Sequence, residues 1–132
     1  MGIFSQAVSA FPPGAKLTGT TYVVKNVGNR QNEKAIVYYI ANSKQPTKPS
    51  QKGFTSSELC HAYSQLLSAK EFTRAWFKSE SEIERGNFSR GAPCNFLAIG
   101  AVLVGLDLAT KQKRGLFTLG VDPSNIKIII DA

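Results

Sequence analysis

Residues 95–119 read NFLAIGAVLVGLDLATKQKRGLFTL: the most apolar run of the chain, a basic cluster, then a second apolar run. The fold turns on whether residues 95–109 form one helix or a set of strands, because a short apolar run fits either a buried helix or a buried strand. Length and the three- and four-residue spacing of Phe96, Ile99, Leu103 and Leu106 predict a helix over Asn95–Ala109. Gly100 and Gly105 work against it, each costing about 1 kcal/mol relative to Ala in a helix interior. The run from Phe96 to Leu106 covers 11 residues, where a membrane-spanning helix needs about 20, so it reads as a core element and not as an anchor. Thr110–Arg114 (TKQKR) then makes a basic turn, and Gly115–Leu119 (GLFTL) a strand.

Upstream, Thr55-x-x-Glu58 is a capping-box pattern that opens a helix, each side chain satisfying the other's orphan backbone N–H. Leu59, Ala62, Tyr63, Leu66 and Leu67 follow at helical spacing as one buried stripe. Thr73 is a second cap, and the short helix Arg74–Ser79 turns Trp76 and Phe77 inward. Ser81–Pro93 is polar with two glycines, a loop that carries Arg85 and Arg90. Towards the N-terminus, Thr20–Val27 and Lys34–Ala41 are rich in β-branched and aromatic residues and flank turn chemistry at Gly28–Asn32, which predicts a β-hairpin. Met1–Ala10 has weak periodicity and reads as a short lead-in stopped by Pro12-Pro13-Gly14. Asn42–Gly53 is polar, with two prolines and three lysines, and is expected to be an exposed connection. Ile126–Ile130 reads as a final strand. The expected fold is therefore α+β in a single domain over 1–132: an N-terminal β-hairpin and basic loop (1–53), then a helical half with a C-terminal strand (54–132).

Two stretches, SSELCHAYSQLLSAKEFTRAWF (56–77) and FLAIGAVLVGLDLATKQKRGLFTL (96–119), set out helix, short helix, apolar helix, basic turn and strand in that order. Over about half the chain this order resembles a winged-helix domain. The resemblance implies three helices followed by a β wing, with nucleic acid lying against the third helix and the wing. Here about a dozen polar residues separate the second and third helices. The helical reading also leaves Ala98, Ala101 and Gly105 on the outer face of the third, where base-reading Arg, Asn, Gln or Ser would be needed. Direct base readout by that helix is not expected; contacts to the phosphate backbone are.

The chain has 132 residues, 42% of them hydrophobic, enough for one core without metals or disulfides. Sixteen Lys and Arg against nine Asp and Glu give +7, which favours polyanionic partners. The charge is unevenly placed. Met1–Ser57 holds seven basic residues against Glu33 alone (7 − 1, +6), Glu58–Glu84 three against five (−2), and Arg85–Ala132 six against three (+3). The candidate backbone contacts are Lys111, Lys113 and Arg114 at the wing turn, Arg85 and Arg90 in the preceding loop, Arg74 and Lys78 on the short helix, and Lys48 and Lys52 in the basic loop, which with Lys44 recur every four residues. The expected function is that of a nucleic-acid-binding module, on duplex DNA, acting by occupancy and not as an enzyme. The alternative is a protein-protein adaptor or inhibitor, its small-residue face (Ala98, Ala101, Gly105) packing into a homodimer or its positive surface meeting an acidic protein.

Tyr22, Tyr38, Tyr39 and Phe54 suit stacking on a single strand, or else core and cover on the two faces of a hairpin. His61 adjoins Cys60, but helical neighbours point about 100° apart and make a poor base and nucleophile pair. Cys60, His61 and Cys94 lack the close pair spacings of a zinc site. Glu80, Glu82 and Glu84 read as a solvated acidic patch, and no Gly-rich phosphate loop is present, so no cofactor or metal is expected. Two cysteines and an N-terminal MGIFSQAVSAF without a charged n-region are in keeping with a reducing, cytoplasmic setting and no membrane partner.

Overall fold

Backbone pairing and apolar burial organise the chain into α1 (Ile3–Ala10), β1 (Val23–Arg30), β2 (Glu33–Ile40), β3 (Ser50–Thr55), α2 (Ser56–Ala69), β4 (Glu71–Thr73), α3 (Arg74–Ile83), α4 (Ala92–Gly105), β5 (Ala109–Lys113) and β6 (Leu116–Leu119). These elements are seen in a computed structural model that describes residues 2–40, 50–83, 92–121, 128 and 130. The architecture is α+β, with two antiparallel three-stranded sheets ordered β1-β2-β3 and β4-β6-β5.

The expected hairpin forms, with a tighter turn than its composition suggested. Gln31 and Asn32 alone connect β1 to β2, both at positive φ (52° and 62°), the conformation whose twist matches that of paired strands. The expected exposed connection is corrected at its end. Ser50–Thr55 forms β3 along the second edge of β2, with Lys52 in register with Tyr38 and Phe54 with Ile36. Being central, β2 is buried continuously from Ala35 to Tyr38, which accounts for a run without alternation.

The lead-in is corrected too. Ile3–Ala10 is a helix that buries Ile3, Phe4 and Ala7 and packs on α2. Eight residues are too few to hold a helix in isolation, so tertiary burial decides it where local pattern does not. Beyond it, residues 14–17 run back along the start of β1: Gly14 N–H donates to Val24 O (2.8 Å), and Leu17 N–H to Tyr22 O (2.9 Å).

The capping box at α2 is complete, with Glu58 N–H donating to Thr55 Oγ1 (3.1 Å) and Thr55 N–H to Glu58 Oε1 (3.0 Å). Thr73 caps α3 through Trp76 N–H (3.2 Å), and Phe77 is buried as expected while Trp76 is half-buried. Glu58 and Asn95 are the notable buried polar groups. The Asn95 amide donates to Gly53 O (2.9 Å) and, at longer range, to Glu58 Oε2 (3.4 Å), while its oxygen accepts from Tyr38 Oη (2.6 Å). Such a network ties sheet, α2 and α4 together, since each member removed would leave a buried partner unsatisfied.

The apolar run is a helix, α4, but it spans Ala92–Gly105 and not Asn95–Ala109, Ala109 opening β5 instead; the expectation about its outer face is corrected as well. Ala98 is fully buried and Ala101 is 3% exposed, because α4 is the central helix: α2, α3, β3 and β5 all pack against it, as befits a helix that is apolar all round. Gly105, its last residue, is the exposed one of the three. The small-residue face invoked for a homodimer is therefore mostly interior. Gly100 has a packing reason to be Gly: a Cβ there would stand 2.2 Å from Phe117 Cζ. Of the expected final strand, Ile128 and Ile130 are described and lie in neither helix nor strand; the Ile128 carbonyl accepts from Tyr63 Oη (2.6 Å). No helix among the described residues is long and apolar enough to cross a membrane.

Candidate nucleic-acid interface

At the position expected for the wing, β5 and β6 form a hairpin within the β4-β6-β5 sheet, and its tip is fixed to the body. A two-residue turn, Arg114-Gly115, joins β5 to β6, and Gly115 takes φ +84°, which a side chain would resist. The Gly115 carbonyl accepts from Arg74 N–H (3.1 Å). That bond sets the first residue of α3 against the wing tip. Pairing of β4 with β6, Thr73 opposite Leu116, holds the same register from behind. A bulge between Lys111 and Lys113 bends β5, and bulges of this kind re-aim the side chains around them.

These constraints enclose an open cleft of about 410 Å³ in which Arg74, Lys111 and Arg114 converge. All three are exposed, and among the described residues no acidic side chain lines the cleft. Arg74 also stands at the positive end of the α3 dipole, with no acid in that first turn, so helix and side chain favour an anion together. The rest of the lining is largely apolar: Phe96, Leu97 and Phe117, with Tyr22 and Cys94. Phe72 fastens this apolar lining. Its ring centroid lies 4.8 Å from that of Phe96, 5.8 Å from Phe77 and 6.1 Å from Phe117, with Phe96 and Phe117 5.5 Å apart.

Tyr22 is held as firmly. Its ring stacks on Tyr38 at 5.2 Å and 21°. Burial, then the neighbouring Cys94 and a hydrogen bond to its thiol, raise the Tyr22 phenol above its ordinary pKa of 10.0. Burial pushes the Tyr38 phenol up further, with Cys94, Tyr22 and Glu58 adding to it. A smaller recess of about 100 Å³ continues from the cleft along the stripe Leu97, Ala101 and Val104 of α4, under the turn Thr18–Thr20. The N-terminal segment thus roofs part of the helix face that the resemblance had turned towards nucleic acid.

Of the residues expected to bind, Arg74, Lys111 and Arg114 come together. Lys113 is exposed at the end of β5, and Lys78 lies one turn along α3 from Arg74; neither lines the cleft. Lys52 sits half-buried in β3, in the other sheet. Lys48, Arg85 and Arg90 fall outside the described residues. Tyr38 and Phe54, considered for stacking, are fully buried, and Tyr39 is half-buried with Lys25 Nζ 6.0 Å from its ring centroid; Tyr22 alone of that set reaches the cleft. Among the described residues no three His, Cys, Asp or Glu side chains gather as a metal site. Comparison with known proteins adds no kinship: no protein-family model, curated protein or solved structure matches the chain.

Proposed function

We propose that residues 54–119 form a winged-helix-like unit and that the chain binds nucleic acid through the phosphate backbone at the wing cleft, acting by occupancy. The unit reading is supported by the order α2, β4, α3, α4, β5, β6, in which the strand between the first two helices returns to pair with the wing. The binding reading is carried by one observation: Arg74, Lys111 and Arg114 converge on a cleft that no acidic side chain among the described residues lines. Three cations in such a place attract an anion with repeated charge, and phosphate contacts position a chain without reading its sequence. The burial of α4 argues against that helix as a reader in the major groove, since an interior helix cannot present side chains to base edges.

Counterion release makes the reading quantitative. Three phosphates neutralised give a slope of about −2.7 in log K against log salt on a duplex and about −2.1 on a single strand. Between about 50 and about 200 mM salt, affinity should fall roughly 40-fold and roughly 20-fold respectively. Fluorescence anisotropy with a labelled random duplex and a single strand tests this, using Arg74→Ala/Lys111→Ala/Arg114→Ala as control. Absence of binding to both at low salt would sink the reading and leave an acidic protein as the partner that the positive surface fits.

A further inference from the structure

A cationic surface alone suffices to hold a duplex, whose bases are stacked and paired behind their phosphates. The cleft holds more than that: Tyr22, Phe96, Leu97 and Phe117 line it together with the cations, an apolar recess that a duplex backbone leaves unused. Its volume, about 410 Å³, lies in the range of about 300–1,000 Å³ typical of small-ligand sites. The geometry points to one occupant: a single unpaired nucleotide of a single strand, its base in the recess over Leu97 and beside Tyr22, its phosphate among Arg74, Lys111 and Arg114. The inference rests on the reading of the cleft as a nucleic-acid site and adds a preference for single strands.

Two features favour a flat ring with an anion attached. One is the meeting of two chemistries in one cleft, cations from the start of α3 and from the β5–β6 hairpin and apolar Leu97, Phe96 and Phe117 from α4 and β6, which suits a ligand that is apolar at one end and charged at the other. The other is preorganisation. Tyr22 has one face covered by Tyr38, so what it offers the cleft is its other face or edge, already immobilised. A base stacking there orders no side chain that is not already ordered, which is how a rigid aromatic platform contributes to single-strand binding. An acidic peptide would use the cations and leave the recess empty.

The test separates recess from cations. Leu97→Trp fills the recess and leaves Arg74, Lys111 and Arg114 in place; the triple alanine variant does the reverse. The unsubstituted protein should bind an oligo(dT) single strand at least about tenfold more tightly than a blunt duplex of equal length, the stacking of one base being worth about that much. Leu97→Trp should lose that advantage and keep salt-dependent duplex binding. Because Cys94 lines the cleft, a Cys60→Ser protein gives a readout that does not depend on how Leu97→Trp folds: thymidine monophosphate should slow alkylation of Cys94, and inorganic phosphate at equal concentration should not. Equal binding of single strand and duplex, or equal protection of Cys94 by phosphate and nucleotide, would overturn the nucleotide recess while leaving backbone binding standing. Failure of both oligonucleotides to bind would overturn both readings.

Discussion

The two sheets are alike in plan, three antiparallel strands each, and opposite in what they do with polar groups. In the N-terminal sheet the polar chemistry turns inward. Glu33, the lone acid of a basic front, caps α2: its Oε1 accepts from Ser57 N–H (2.7 Å) and Ser56 Oγ (2.9 Å), its Oε2 from Ser57 Oγ (2.9 Å). Tyr38 is drawn into the buried Asn95–Glu58 network. In the wing sheet aromatic packing holds the inside, and β5 leaves Thr110–Lys113 exposed. Net charge therefore does not locate a site. The most basic stretch, Met1–Ser57, spends much of its polar chemistry on folding, while three cations from α3 and the β5–β6 hairpin face a common cleft.

The sharpest way to break this comparison is Phe72→Ala. Phe72 touches rings from α3, α4 and β6, so its loss should destabilise the chain by about 3–5 kcal/mol, the usual cost of a buried Phe cavity. Urea denaturation measures it. A change under about 1 kcal/mol would mean that the ring cluster around Phe72 is not what holds the β4-β6-β5 sheet in place.

How much of this was legible in the sequence follows the same division. The hairpin, α2 and the caps at Thr55 and Thr73 rest on local rules, alternation and hydrogen-bonding side chains at fixed offsets, and these are read from a few residues at a time. Strand β3 and helix α1 rest on partners: Ser50–Thr55 is half polar and becomes a strand because β2 offers a free edge, and Ile3, Phe4 and Ala7 become a helix face because α2 lies beside them. The same holds in the site. Lys111 and Arg114 are near neighbours in sequence and legible as a basic cluster, though Thr110–Lys113, expected as a turn, lies in β5 and only Arg114 is at the turn. Arg74 joins them from 37 residues upstream, a distance counted in the sequence, only because β4 pairs with β6. The apolar lining was read as core, which it mostly is. Periodicity gives α4 as a helix but not how many of its faces are covered, so Ala98 and Ala101 were misplaced.

Gly100→Ala sharpens the comparison at the contact between α4 and β6. Ala is the better helix former by about 1 kcal/mol, which predicts stabilisation if only the helix mattered. Its Cβ would meet the Phe117 ring at 2.2 Å, and that ring is confined by Phe72 and Phe96, so overpacking of about 1–3 kcal/mol should win. The net expectation is a loss of about 1–2 kcal/mol in thermal or urea unfolding, accompanied by weaker oligonucleotide binding as the cleft lining shifts.

The inward-turned network predicts a pH dependence. The Tyr38 phenol is held far above its ordinary value of 10.0 by burial first. Above pH 10, the unfolded chain therefore releases that proton while the folded chain keeps it. The folded state then binds more protons, so stability falls as pH rises, by about 1.4 kcal/mol per pH unit for this one group. Tyr63 and Tyr22 are raised in the same direction. Tyr38→Phe should be less stable than the parent at neutral pH by about 1–3 kcal/mol, because Asn95 Oδ1 loses its donor. It should also be less sensitive to alkali, the gap to the parent narrowing between about pH 9 and about pH 11. A gap that stays constant over that interval would place Tyr38 in ordinary contact with solvent.

The smallest expected effect on stability belongs to the cleft itself. Arg74, Lys111 and Arg114 are exposed, and the bond that fixes the wing tip uses the backbone of Arg74, not its guanidinium. Exposed substitutions of this kind usually stay within about 0.5 kcal/mol each. Bringing like charges together is mildly unfavourable in an empty cleft, so removing all three should leave stability unchanged or slightly raised at low salt, with the gain vanishing as salt screens the repulsion. Oligonucleotide affinity should meanwhile fall steeply. A triple variant that loses several kcal/mol of stability would show these cations working for the fold, as Glu33 does, and would erase the contrast between the two sheets.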